Sequence, residues 1–96
     1  MKINFTKNGG DLHITIEGRL DTTTAPEFES VLTANIAGVN DLTIDCAGLE
    51  YISSAGLRVL LSAQKKMKSG MRLKNVCELV MEVFEITGFV DILTIE

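Results

Sequence analysis

A single histidine, two cysteines and a deficit of basic residues set the first limits on this 96-residue chain. His13 falls on the outward side of an alternating segment, where a solvated surface imidazole is expected. Nothing in the sequence places it beside a nucleophile, so Ser-His-Asp and Cys-His arrangements lack their base. Cys46 and Cys77 have no second Cys or His at metal-ligand spacing and form no Cys-x-x-Cys pair. They read as reduced thiols packed like small hydrophobes, with no metal and no cofactor expected. Neither of the glycine-rich phosphate motifs, GxGxxG or GxxxxGK[ST], occurs. Nine Lys and Arg against thirteen Asp and Glu give a net charge of -4. That balance opposes nucleic acid and anionic membrane surfaces, leaving protein as the expected partner. No apolar run approaches the roughly 20 residues that span a bilayer. The start Met1–Thr6 lacks the apolar block of a secretory signal, so a cytoplasmic chain is expected.

What is present is a well-patterned small domain. A hydrophobic content of 46% over 96 residues supports one core, and no repeat, linker or composition shift divides residues 1–96. Ile3 and Phe5, then Leu12, Ile14 and Ile16, alternate with polar residues, which predicts two strands; Asn8-Gly9 between them predicts a hairpin turn. Thr24 stands three residues before Glu27, with Pro26 in the first turn, a capping-box signature for a helix carrying Ala25, Phe28, Leu32 and Ile36 on one face and ending at Gly38. Leu42, Ile44 and Cys46 alternate in a third strand. Ser53 or Ser54 opens a second helix running to about Lys68, burying Leu57, Leu60, Leu61 and Met67. After a turn at Ser69-Gly70, Met71–Lys74 reads as a fourth strand. Asn75, three residues before Glu78, caps a third helix with an apolar stripe of Val76, Leu79, Val80, Val83 and Ile86, while Glu78, Glu82 and Glu85 form its solvated face. Asp91–Glu96 reads as a last strand. The expected fold is α/β: a mixed sheet of about five strands with about three helices, packed mainly on one face because strands two and three alternate.

Ser53 and Ser54 stand at the junction of a loop and an apolar helix. One serine there has an evident structural role as N-cap, accepting a hydrogen bond from an unpaired helix N–H. Two hydroxyls exceed what one cap needs, and Gly56 in the first turn lowers helix propensity relative to alanine. A glycine lets another surface approach, and the positive end of a helix suits a phosphate.

The segment Tyr51-Ile-Ser-Ser-Ala-Gly-Leu57 resembles the Asp-Ser-Ser/Thr-Gly-Leu-type hallmark of the STAS family, specifically the stand-alone bacterial anti-anti-sigma factors. Gly18-Arg-Leu-Asp21 is similar to the family's Gly-x-Leu-Asp after strand two, Leu42-Thr-Ile-Asp45 to its third strand and Val83–Phe89 to its last helix, so the likeness covers essentially the whole chain. The resemblance implies a single STAS domain acting by partner switching rather than catalysis. By motif alignment Ser54, rather than Ser53, is implied as the phosphorylated residue. The implied kinase is an anti-sigma factor with a histidine-kinase-like ATPase fold, and the eraser is a metal-dependent serine phosphatase. Asp21, Thr22, Ser53, Ser54, Ala55, Gly56 and Leu57 are implied as the partner-binding surface. Ser53 replaces the family's aspartate and Ala55 its second Ser or Thr. The resemblance also implies an alternative, a STAS subunit of a non-sigma assembly such as a lipid-transport or signalling-phosphatase complex; a third reading, a nucleotide hydrolase using Ser54 as nucleophile, lacks a nearby base.

Overall fold

The computed structural model describes residues 1–68 and 70–96. The elements run β1 (Lys2–Asn8), β2 (Asp11–Leu20), α1 (Ala25–Asn35), β3 (Asp41–Ile52), α2 (Ser54–Met67), β4 (Met71–Lys74) and α3 (Glu78–Thr87), then a 3-10 turn at Phe89–Asp91. The sheet order is β1-β2-β3-β4, with β1 antiparallel to β2 and the β2–β3 and β3–β4 pairs parallel. This is the mixed sheet expected from an amino-terminal hairpin followed by right-handed crossovers. The hairpin closes one residue later than expected: Asn8 pairs with Asp11, and Gly9, at φ +57°, with Gly10 makes the two-residue loop.

Alternation sorts the two faces. Leu12, Ile14 and Ile16 of β2, Leu42, Ile44 and Cys46 of β3, and Met71 and Leu73 of β4 are buried with Phe28, Leu32, Leu57, Leu60, Val80 and Phe84 of the helices in one core. At about 1.5–3 kcal/mol for each fully buried large side chain, this layer is the main source of stability. The opposite face stays wet. Arg72 there donates to Asp41 at 3.3 Å and to Thr43 at 3.3 Å, and Asn75 Nδ2 donates to Asp45 at 3.1 Å. Cys46 sits in the core, where burial pushes its thiol pKa up to about 12. No helix among the described residues is long and apolar enough to cross a membrane.

Four local expectations are corrected. The tail forms no fifth strand: helical hydrogen bonding through Leu93 consumes the residues after Gly88, and β4 is four residues long, leaving only a bridge between Leu73 and Ile95. Asn75 does not cap α3; it adopts φ +58°, its side chain reaches Asp45, and Cys77 takes the N-cap position. The buried face of α3 is Val80 and Phe84, so Leu79 and Ile86 point outward, 53% and 84% exposed. In α2, Leu61 and Met67 are half-buried, while Val59 and Ala63 join Leu57 and Leu60 in the core. The expected turn at Ser69-Gly70 includes a residue outside the described set.

Candidate functional site

The parallel strands β2 and β3 end side by side, with Arg19 paired to Tyr51 and Leu20 to Ile52. Arg19 stacks over the Tyr51 ring, 4.1 Å from its centroid. The Ser53 amide donates to the Leu20 carbonyl at 2.9 Å, which ties the start of α2 to the end of β2. Both helices that follow these strands therefore begin along one edge of the domain, at the C-terminal ends of the two central strands.

Asp21 organises the start of α1. Its Oδ1 accepts hydrogen bonds from the amides of Thr23 at 3.0 Å and Thr24 at 3.2 Å, and its carbonyl accepts from Ala25 at 2.8 Å. Thr24 stands at the N-cap but makes no side-chain cap bond. Its hydroxyl instead donates to the Arg19 carbonyl at 2.7 Å and accepts from the Asp21 amide at 2.9 Å. The capping box expected from Thr24 and Glu27 is thus replaced by an aspartate-led turn, because an Asp three residues earlier can reach two free amides at once. The Thr24 amide, against desolvation and aided by Thr23 and Arg19, lowers the Asp21 pKa below the ordinary carboxylate value. A lowered folded-state pKa means that the unfolded chain binds the proton more readily. The turn's contribution is complete above the unfolded value of about 3.9 and is lost as pH falls through the folded value. Asp21→Asn is expected to flatten the acid limb of a stability-against-pH curve below about pH 4, measured by urea unfolding.

At α2 the two serines take different places. Ser54 is the first helical residue and is exposed. Ser53 occupies the N-cap, with φ -103° and ψ 176°, yet its side chain makes no cap hydrogen bond. Its Oγ is buried with no partner among the described residues. The backbone of Ser53, not its hydroxyl, serves the helix: its carbonyl accepts from Leu57 N at 3.0 Å. Loss of a working Ser cap costs about 1 kcal/mol, whereas removal of an unsatisfied buried hydroxyl costs little or stabilises. Ser53→Ala is therefore expected to keep or raise stability, by up to about 1 kcal/mol, in chemical denaturation.

The seven residues expected at the partner surface separate into two groups. Thr22 and Ser54 are exposed, and Asp21, Ser53 and Ala55 are partly so. Gly56 and Leu57 are buried. A Cβ on Gly56 would lie 2.7 Å from Leu20 Cγ and 2.8 Å from Ile52 Cγ1. The glycine thus lets α2 settle on the ends of β2 and β3, and the surface it admits is the protein's own core. Residues missed from the sequence complete the outer surface: Pro26 and Glu29 of α1 with Arg58 of α2 join Thr22, Ala25, Ala55 and Val59 around a shallow depression of about 200 Å³. One spacing could have flagged Arg58, which lies one helical turn beyond Ser54. His13 lies on the wet face paired to Thr43, nine residues before Ile52 on β3, so roughly 25–30 Å of strand separates it from the serines at about 3.3 Å per residue.

The fold and this edge define a small mixed-sheet module that presents a serine-bearing helix start beside an aspartate-led turn. A STAS domain profile matches residues 2–96, and the chain belongs to the STAS domain family. It is 38% identical to BtrV of Bordetella bronchiseptica, a relative named for anti-sigma factor antagonism, over 96% of this chain and 83% of that protein. It is 29% identical to the anti-sigma-B factor antagonist of Bacillus subtilis, over 99% and 90%. Among solved structures, the anti-sigma factor antagonist SpoIIAA in its unphosphorylated form superposes with a TM-score of 0.84 at 17% identity, covering 99% of this chain and 88% of that one. The phosphorylated form of the Bacillus SpoIIAA superposes at 0.75 and 16%, covering 99% and 91%. These two likenesses carry the fold.

Proposed function

We propose that this chain is an anti-sigma factor antagonist that acts by partner switching. Its unphosphorylated form binds an anti-sigma factor that is also a serine kinase of histidine-kinase-like ATPase fold, which frees the sigma factor. Phosphorylation of Ser54 releases the anti-sigma factor, and a metal-dependent serine phosphatase resets the chain. The observation that carries the reading is the exposed Ser54 at the first position of α2, where Leu20 pairs with Ile52 just before Asp21 and Thr22, in a chain 38% identical to BtrV over nearly its whole length.

The physics of a phosphate at this position supports release without unfolding. Phosphoserine carries about -1.5 to -2 charges at neutral pH, and a helix start offers free amides and the positive end of the dipole. The modification therefore acts across the interface, where a dianion meets a surface shaped for a neutral hydroxyl. The test is a competition: the unmodified chain is titrated into a purified complex of the candidate anti-sigma kinase and its sigma factor. Release of sigma as the chain binds is expected. Binding without release would assign the chain to a non-sigma assembly, and absence of binding would contradict the reading.

A further inference from the structure

We propose that Arg58 is the residue that holds a phosphate on Ser54, a positioning role that rests on the reading of Ser54 as the modified serine. Ser54 and Arg58 are both exposed and stand four apart on α2. Residues at this spacing are surface neighbours, with Cβ atoms about 5–6 Å apart. Helical side chains lean toward the N-terminus, so Arg58 covers the turn that Ser54 begins. A guanidinium presents a planar fork of donors that matches two phosphate oxygens, with a charge that does not titrate near neutrality.

The other two arginines are already engaged. Arg19 is placed against Asp21 and the Tyr51 ring, and Arg72 is placed among Asp41, Thr43 and Glu96. Arg58 takes part in none of the ion pairs among the described residues. Across the shallow depression the charged group contributed by α1 is Glu29, a carboxylate, which repels a phosphate and leaves Arg58 as the cation at this edge of the groove. In the unmodified chain the guanidinium is free to meet an acceptor on a partner. After modification it is turned onto the phosphate. Phosphorylation then does two things at the interface: it adds a dianion and withdraws a donor.

The experiment installs phosphoserine at position 54 during translation, so it needs no kinase, and follows the phosphate by 31P NMR across pH 4–9 in the full chain, R58Q and R58K. The dipole of α2 acts equally in all three, so their differences report Arg58. The wild-type chain is expected to titrate about 0.15–0.4 pH unit lower than R58Q, an offset that shrinks in about 1 M salt. R58K is expected to recover at least half of it, because the charge remains and the fork is lost. Equal midpoints in wild type and R58Q, or an R58K midpoint equal to that of R58Q, would overturn the proposal. Failure of the unmodified chain to bind an anti-sigma kinase would count against the functional reading and leave this comparison intact.

Discussion

Phosphoserine at position 54 is expected to weaken binding to the anti-sigma kinase more than 100-fold, a loss of about 3 kcal/mol at about 1.4 kcal/mol per decade. The aspartate variant, with one negative charge instead of nearly two, is expected to lose about 10- to 100-fold, and Ser54→Ala to stay within about threefold of wild type. The ranking follows from position. Ser54 is exposed at the first turn of α2, so its side chain reaches a partner without disturbing the core. Titration calorimetry measures the three affinities. Equal binding by the aspartate, alanine and phosphoserine forms would mean that the hydroxyl lies outside the interface. Amide exchange supplies the structural half: the modified chain is expected to retain protection throughout α2, because the phosphate sits where the helix dipole favours it.

The second large effect is structural. Gly56→Ala is expected to destabilise the domain by about 1–3 kcal/mol, since the added methyl lands 2.7 Å from Leu20 Cγ and 2.8 Å from Ile52 Cγ1. Both atoms lie within buried side chains rather than at the far ends of flexible ones, so α2 or the strand ends must shift. The measurement is a urea unfolding series with a double-mutant cycle. Leu20→Ala alone is expected to cost about 2–5 kcal/mol, and Gly56→Ala combined with Leu20→Ala less than the sum, because the space vacated by Leu20 receives the new methyl. Strict additivity would show that the two sites do not compete for volume. The folded fraction of Gly56→Ala is expected to bind its partner with near-normal affinity, which separates a packing role from a contact role.

Local periodicity is legible in the sequence, and packing between distant segments is not. Alternation in β2 and β3 announces both the strands and the one-sided core because a period of two sorts side chains onto opposite faces without reference to anything distant. The serine pair was legible for the same reason: hydroxyls before an apolar helical run mark a helix start. The α3 stripe is legible only in part: Val80 is buried as expected, whereas Leu79 and Ile86, equally at helical spacing, are exposed. Phe84 takes the buried place beside Val80, on a helix that packs against β3. The unbonded Ser53 hydroxyl and the packing of Gly56 are not legible in the sequence, because both depend on a strand end distant in the chain. Leu20, 33 residues before Ser53, supplies the carbonyl that fixes its backbone, and the same leucine with Ile52 sets the clearance that Gly56 must respect. Asp21 entered through its motif as a contact residue. Its hydrogen bonds to Thr23 and Thr24 add a second task, holding the turn that presents Thr22 next to α2.

The claim on which the rest depends is that Ser54 is the residue modified by a binding partner. Incubating the chain with the candidate anti-sigma kinase and ATP, then locating the phosphate by peptide mass spectrometry, tests it most directly. Phosphate on Ser54, retained in Ser53→Ala and abolished in Ser54→Ala, is the predicted result. Phosphate on Ser53, or on neither serine, would contradict it.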